Sequence, residues 1–506
     1  MGATKTASKN PPAVKIPTQR FISSATDIEK AVAAAAKEEK GEPLSPAARI
    51  FRQPQFNCHI IAILGMGKFI CADDLKGGLE GTLVRHPRFS SVQVTDLSGR
   101  DKPRWVPTKV NLDDHVIYPD ISDATTAAAD DDPVVGDRFV EDYTAGLYHS
   151  PLDPSHPLWD IHFLAIRTSE ATCVAVFRIH HSLGDGISLM SLFLACTRRT
   201  SDYESLPSLP AARRRSAAAV SGFGPWVLLY WIWTFLVYAW NTLVHAFLFV
   251  ASAFFLKDTR TRIMGSEGVE FRPKRFVHRT ISLDDIKDIK NAMGCTINDV
   301  LVGVTSAALS RYLSRSYDGC LPKNLRIRTS LLVNIRPTPG INALAEMMRK
   351  GSGAKWGNQM GYMLLRFPVM ECEDPLDYVR KGMAVVEKKK KSWEAIFTYI
   401  SSLVIVKTLG FKVGTVLCHR IVSNTSLSFS NIVGPMEEVG FCGSPLVYIA
   451  PSVYGHPQAL TIHFQSYLNK MKVVVAVDEL VIPDPHKLLD DISHSLQLIK
   501  DAITRF

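Results

Sequence analysis

From Pro225 to Leu256 the chain carries no charged residue, and four of its eight tryptophans lie in that stretch. So long an uncharged run exceeds the ~18 apolar residues that mark a candidate membrane crossing. A buried helix of a soluble core is the ordinary alternative. As one straight helix these 32 residues would reach about 48 Å, well beyond a hydrocarbon core of about 30 Å. One simple span therefore fits poorly. Extending the apolar region back to Ala217 gives about 40 residues, enough for two short spans of ~20. Arg213, Arg214 and Arg215 precede it, and Lys257, Arg260 and Arg262 follow it. Basic flanks of this kind are expected of two ends that both face the cytosol. Two arrangements satisfy these constraints: a membrane hairpin turning near Asn241-Thr242, or helices lying along the interface.

The second constraint is chemical. Thr172 to Ile179 is β-branched and apolar, as a mostly buried strand should be. It runs into His180-His181-Ser182-Leu183-Gly184-Asp185-Gly186, after which Ile187 to Ala195 reads as a helix. Side chains alternate along a strand, so His180 and His181 should point in opposite directions and not share one metal ion. Gly184 and Gly186 bracket Asp185 and permit a tight, locally unusual backbone. An imidazole that titrates near neutrality, held at a strand end, suits general-base work on a hydroxyl. The bland reading is a buried histidine that satisfies backbone groups, beside an aspartate that caps the next helix.

Further polar landmarks lie beyond the apolar run. Thr296-Ile297-Asn298-Asp299 fits a capping box, with Ile297, Leu301, Val304 and Ala308 at helical spacing. Asn298 and Asp299 thus either start a helix and no more, or present that polar start to a site. Arg336 ends a strand-like run from Ile327 to Ile335, and Ser430-Asn431 stand shortly before Gly434 in a turn-like loop. If segments before residue 210 and after residue 270 build one site, a single membrane crossing between them would leave its halves on opposite sides.

Length and charge narrow the classes. A chain of 506 residues, 46% of them hydrophobic, is long enough for two or three domains. Nine cysteines at irregular spacing, without a Cys-x-x-Cys pair or a secretory signal, point to reduced thiols facing cytosol. No zinc site, other metal site or disulfide framework is expected. Gly-x-Ser-x-Gly, phosphate-loop and His-Glu-x-x-His motifs are missing. The net charge of +9 comes with no nucleic-acid recognition motif, so membrane surface and anionic small molecules are the expected partners. Residues 1–41 read as a mobile basic tail, Ser122 to Asp137 as an acidic surface loop, and Lys388 to Lys391 as a solvated helix face. Met1-Gly2 opens a match to the myristoylation pattern too short to outweigh chance.

Taken together, His180-His181-Ser182-Leu183-Gly184-Asp185-Gly186 resembles the signature of the wax ester synthase/diacylglycerol acyltransferase family, relatives of chloramphenicol acetyltransferase. Glu42-Pro43-Leu44-Ser45-Pro46-Ala47, Pro157-Leu158-Trp159-Asp160, Asn298-Asp299-Val300, Val333-Asn334-Ile335-Arg336-Pro337, Ser430-Asn431-Ile432-Val433-Gly434-Pro435 and Val475-Ala476-Val477-Asp478 match its other motifs. The plant branch is the nearer, and Ile432-Val433 stands where bacterial relatives carry Val-Pro.

The resemblance covers roughly residues 42 to 500. It implies an α/β fold of two chloramphenicol-acetyltransferase-like domains with mixed sheets, at 42–210 and 265–506, with the membrane-associated insertion at 211–264. A tunnel between the domains would hold His181. It also implies acyl transfer from acyl-coenzyme A to a long-chain fatty alcohol, with diacylglycerol as the alternative acceptor. His181 would be the general base and Asp185 its catalytic companion, paired with Arg336 to shape the loop. His180, Gly186, Asn298 and Asp299 would support them, and Ser430 and Asn431 would stand near the oxyanion or substrate. No cofactor is implied, since acyl-coenzyme A is a substrate. The expected place is the endoplasmic reticulum membrane, catalytic domains toward the cytosol. A lipid-binding protein without catalysis is the reading from a different class. A soluble acyltransferase of secondary metabolism lacks its expected Asp-Phe-Gly-Trp-Gly motif.

Overall fold

A computed structural model describes residues 42–95, 103–207, 225–336 and 356–505. The expected tail over 1–41 and the run 208–224, with its three arginines, lie outside the described residues. The strand predicted before the motif forms as Cys173–His180 and the helix after it as Gly186–Ala195. Cys173–His180 sits inside a seven-stranded mixed sheet. Its order is Val116–Ile117, Trp159–Leu164, Cys173–His180, His59–Met66, Ser444–Tyr454, Val439–Phe441 and Thr197–Arg199. A six-stranded mixed sheet is built from Met360–Arg366, Arg328–Asn334, Leu427–Val433, Leu460–Tyr467, Lys470–Val477 and Arg275–Ser282.

The expected split at 265–506 needs one correction: Val439–Phe441 and Ser444–Tyr454 leave the carboxyl-terminal half and complete the amino-terminal sheet. Ser444–Tyr454 pairs antiparallel along His59–Met66. Without it the apolar edge of His59–Met66 would offer unpaired backbone groups. At the crossing, Tyr448 is in register with Gly65, and a Cβ on Gly65 would lie 2.3 Å from the Tyr448 ring. The glycine is needed because an aromatic ring occupies the space of its side chain.

The carboxyl-terminal core forms where Ile297–Ser316 and Pro485–Thr504 cover one face of the six-stranded sheet, burying Val300, Val304, Phe429, Phe464 and Leu488. Two expectations about polar segments fail locally. Ser122 to Asp137 is not a loop but the helices Asp123–Asp131 and Pro133–Gly146. The Ser122 hydroxyl caps the first, while the Asp132 carboxylate caps the second at the Val134 N–H, with Pro133 in its first turn. Lys389 leaves the solvated face of Leu376–Lys390 and is buried, its Nζ 2.6 Å from the equally buried Glu394.

The apolar run is a single helix, Pro225–Phe254, with no turn at Asn241-Thr242, so the hairpin expectation is overturned. The physical reason lies in Asn241, Thr242, His245 and Ser252, which fall on one stripe and face the body of the protein. Asn241 Nδ2 donates to the Lys391 carbonyl at 3.1 Å, and Thr242 Oγ1 accepts from the Trp393 N–H at 2.9 Å. His245 is buried with Nδ1 3.7 Å from Glu394. The Ser252 carbonyl accepts from Asn424 Nδ2 at 2.7 Å, and its hydroxyl meets Arg328. A turn at 241–242 would strip these bonds from the body of the protein. The first nine residues, Pro225 to Trp233, are exposed apart from the half-buried Val227.

Gly65→Val should force the Tyr448 ring aside and cost about 1–3 kcal/mol, the usual penalty of overpacking. A lowered denaturant midpoint checks it, and Tyr448→Ala in the same chain should recover part of the loss.

Candidate active site

Two buried polar anchors fix the end of Cys173–His180. Arg178, two residues before His180, donates Nε to Asp160 Oδ1 at 3.0 Å and Nη2 to Asp160 Oδ2 at 2.5 Å, and Nη1 to the Leu147 carbonyl at 2.9 Å. Asp160 is its register partner on Trp159–Leu164. Burial works to raise the Asp160 carboxyl, but His162 and Arg178 beside it hold it well below the usual carboxylate range. Trp159 is fully buried and donates Nε1 to the Phe89 carbonyl at 2.9 Å. Trp159 and Asp160 therefore hold the strand that delivers the histidines.

The two histidines diverge as alternation requires. His180 turns toward His59, 5.0 Å between ring centroids, with its Nδ1 2.6 Å from Ser182 Oγ and its Nε2 3.1 Å from Asn57 Oδ1. Both nitrogens are occupied by structural partners. The His181 ring instead stacks on Phe51 at 4.2 Å, and its Nδ1 is buried without a hydrogen-bond partner. Its backbone is pinned on both sides: the N–H donates to the Cys58 carbonyl at 2.9 Å, and the carbonyl accepts from Asn358 Nδ2 at 3.1 Å. Burial lowers the His181 pKa below its ordinary value, with Asp185 and Asn358 opposing the shift. The ring is thus kept neutral and able to accept a proton at neutral pH.

Asp185 is fully buried and faces away from the imidazole's chemistry. Oδ1 accepts from the Ser188 N–H at 2.9 Å, capping Gly186–Ala195. Oδ2 accepts from the Gln359 N–H at 3.0 Å and meets Arg336 Nη1 at 2.8 Å. Arg336 also donates Nη2 to Ser188 Oγ at 3.0 Å and to the Gly357 carbonyl. This cluster ties the histidine turn of the first half to residues 357–359 of the second. Gly184 and Gly186 do not adopt positive φ, which corrects the expectation of an unusual backbone. Their smallness serves close approach: a Cβ on Gly186 would lie 3.3 Å from Ile432 Cδ1, and one on Gly184 3.4 Å from Trp356.

The remaining candidates separate. Asp299 is buried in the capping box with Thr296 and meets Lys390 at 3.2 Å, so it starts its helix and does not reach His181. Asn298 accepts at Oδ1 from Asn431 Nδ2 at 2.7 Å. Along Leu427–Val433 alternation places Asn431 with Phe429, toward the carboxyl-terminal core. Ser430 falls with Ile432, whose side chain abuts Gly186. Of the pair, Ser430 is on the face of the histidine turn. Its register partner on that face is His463.

Sequence reasoning missed Phe51, Asn358 and His463. Asn358 has a buried Oδ1 without a partner, which is unusual for a buried amide. No spacing in the chain announces these residues, because Phe51 ends a helix, Asn358 lies in a loop and His463 on a strand, all distant along the chain from His181.

A cavity of about 740 Å³ lies against this group, within the usual size for a small-molecule site. Phe51, Trp356 and Asn358 line its inner end, Arg85 and Arg88 another part, and Phe249, Leu403, Val406 and Leu417 its apolar wall. Among the described residues no cluster of side chains suits a metal ion.

Residues 66–301 match the wax ester synthase/diacylglycerol acyltransferase catalytic domain, and 356–500 the WS/DGAT C-terminal domain. The chain is 48% identical to wax ester synthase/diacylglycerol acyltransferase 11 of Arabidopsis thaliana, over 91% of this chain and 95% of that one. It is 46% identical to number 5 of the same series, over 97% and 98%. Among solved structures, the wax ester synthase/diacylglycerol acyltransferase of Marinobacter aquaeolei VT8 superposes with a TM-score of 0.56 at 17% identity. That superposition covers 91% of this chain and all of the other. The first condensation domain of the calcium-dependent antibiotic synthetase follows with a TM-score of 0.51 at 13% identity, covering 94% and 95%. These two bear on the fold alone, and they bear out the expected chloramphenicol-acetyltransferase-like α/β fold with mixed sheets.

Arg336→Ala leaves Asp185 buried and unpaired, an uncompensated charge worth about 3–5 kcal/mol of stability. Denaturant unfolding should show that loss, and Asp185→Asn combined with Arg336→Met should restore part of it. A second expectation follows from burial of His59 and His456, lowered to about 3, and of His86 and His463, lowered to about 4. Each is neutral when folded but takes up a proton near its ordinary 6.5 once unfolded. The unfolded state therefore binds more protons below that pH. Stability held above pH 6.5 should fall steeply as pH drops toward 4, read from the thermal midpoint.

Proposed function

The chain belongs to the wax ester synthase/diacylglycerol acyltransferase family, and from that premise we propose that it esterifies long-chain fatty alcohols with His181 as general base. It is an acyltransferase making wax esters, triacylglycerol or both. The observation that carries the catalytic assignment is the buried, neutral His181, stacked on the Phe51 that lines a large cavity, while His180 is locked by Asn57 and Ser182.

With Nδ1 buried, Nε2 is the nitrogen left to meet a substrate hydroxyl. It takes the proton as the alcohol oxygen bonds to the thioester carbonyl carbon. Collapse of the tetrahedral intermediate breaks the carbon–sulfur bond, and the same proton passes to the departing coenzyme A thiolate. Protons and electrons balance without an acyl-enzyme or a cofactor. Ser430, on the same face as the turn, and the unpartnered Oδ1 of Asn358 would orient polar groups of the reactants. Asp185 acts through Arg336 as a positioning residue. Membrane attachment through Pro225–Phe254, at the cytosolic face of the endoplasmic reticulum, belongs to the same proposal. It is supported by that exposed apolar helix and by the insolubility of alcohol and ester.

Membranes holding the full chain, given labelled palmitoyl-coenzyme A and either hexadecanol or diacylglycerol, test this reading. Wax ester should form, and His181→Ala should reduce it about 10²- to 10⁴-fold, the range of a positioned acid–base group. Triacylglycerol alone would move the acceptor to diacylglycerol, and unchanged ester formation in the variant would remove His181 as base.

A further inference from the structure

Three helices carry an apolar surface that the catalytic chemistry does not use. On Pro225–Phe254, Trp226, Trp233, Trp240, Phe247 and Phe254 recur every seven residues and are 63–81% exposed. They lie opposite the stripe of Thr242, His245 and Ser252 that docks on the protein. On Glu394–Thr408 the outward stripe is Ile396, Ile400 and Val404, at spacings of four, each half-exposed. On Phe411–Ser423 it is Val413 and Val416. Exposed patches of this extent mark interaction surfaces, since water penalises them. The second helix inverts the usual pattern, because the residues it buries are the polar Glu394 and Thr398.

Charge identifies the partner. The exposed charged side chains on these three helices are Lys407, Lys412 and Arg420, all cations, while the acidic Glu394 is fully buried. Tryptophans around an apolar patch rimmed by cations suit an anionic leaflet. The length of the exposed amino-terminal stretch also fits one leaflet. Pro225 to Trp233 extends about 13 Å at 1.5 Å per residue, far short of a hydrocarbon core of about 30 Å.

Other side chains of the same helices line the cavity. Phe249 comes from the first, Leu403 and Val406 from the second, and Leu417 and Ile421 from the third. At the far end stands Phe51, stacked on His181. A second copy of the chain seated on this surface would cover the helices that border the cavity, whereas a leaflet supplies lipid to it.

We propose that the outward faces of Pro225–Phe254, Glu394–Thr408 and Phe411–Ser423 form one surface seated in an anionic leaflet, and that the lipid acyl acceptor enters sideways from that leaflet, between Phe249, Leu403 and Leu417, toward Phe51 and His181. The entrance rests on the membrane attachment proposed above, but adds two helices to it and assigns them a route. Phe51 swings from the His181 ring to admit the hydroxyl end, and the acceptor's chain trails toward the leaflet.

The test uses the full chain on phosphatidylcholine vesicles containing phosphatidylserine, with photoreactive p-benzoylphenylalanine replacing Val404, Val416, Trp233 or Tyr203 in turn. Positions 404, 416 and 233 should cross-link phospholipid acyl chains, while 203, exposed just after the edge strand Thr197–Arg199 of the amino-terminal sheet, should not. Lipid adducts from 233 alone would overturn the entrance and leave the anchor standing. Protein–protein adducts without lipid at all three would overturn both and assign the surface to a second copy. In the same vesicles, Ile400→Glu with Val404→Glu should slow esterification of hexadecanol about tenfold or more, as lost seating of two apolar side chains implies. Hexanol supplied from water should react at nearly the unmodified rate. Equal slowing of both alcohols, or of neither, would overturn the route.

Discussion

The buried ion pair between Asp185 and Arg336 is the contact on which the site depends. Asp185 caps the helix that follows the histidine turn, while Arg336 comes from the strand end of the other half and also grips Ser188 and Gly357. Two charges removed from water repay their desolvation only when each is fully bonded, and here each has several partners. The consequence is positional: the turn carrying His181 cannot shift without disturbing residues 357–359, one of which, Asn358, holds the His181 carbonyl. A second tie runs the other way, through Ser444–Tyr454, which the carboxyl-terminal half lends to the amino-terminal sheet. The halves are interlocked by backbone pairing on one side and by charge on the other.

Between these ties the chain must also manage a helix that is more apolar than its own core requires. The solution is a division of faces. Polar residues spaced along Pro225–Phe254 bind the body of the protein, and large aromatic residues face outward. The buried Lys389, Glu394 and His245 sit where this helix meets the rest. Polar bonds at the junction give the helix one register on the surface, which apolar contact alone would specify weakly.

Much of this was legible in the sequence where local chemistry decides. The strand into His180, the helix after Asp185 and the capping box at Thr296 follow from alternation and capping, and they form as read. The pairing of Asp185 with Arg336 came from family resemblance, not from spacing. What was not legible depends on contacts distant along the chain. Phe51 over His181, Asn358 on its carbonyl and the crossing of Ser444–Tyr454 have no local signature. The single helix in place of a hairpin was missed for a different reason. The positions of Asn241, Thr242, His245 and Ser252 on one stripe, opposite aromatics every seven residues, were present in the sequence. Hydropathy and charge counts read composition and ignore that periodicity.

The pH dependence of kcat/KM bears most directly on the proposed role of a neutral, buried His181 as the base. Burial lowers the His181 pKa, so the acid limb should show an apparent pKa below the ordinary histidine value of 6.5, and His181→Gln should abolish the limb along with most of the rate. A limb at or above that value, or one that survives in the variant, would contradict it.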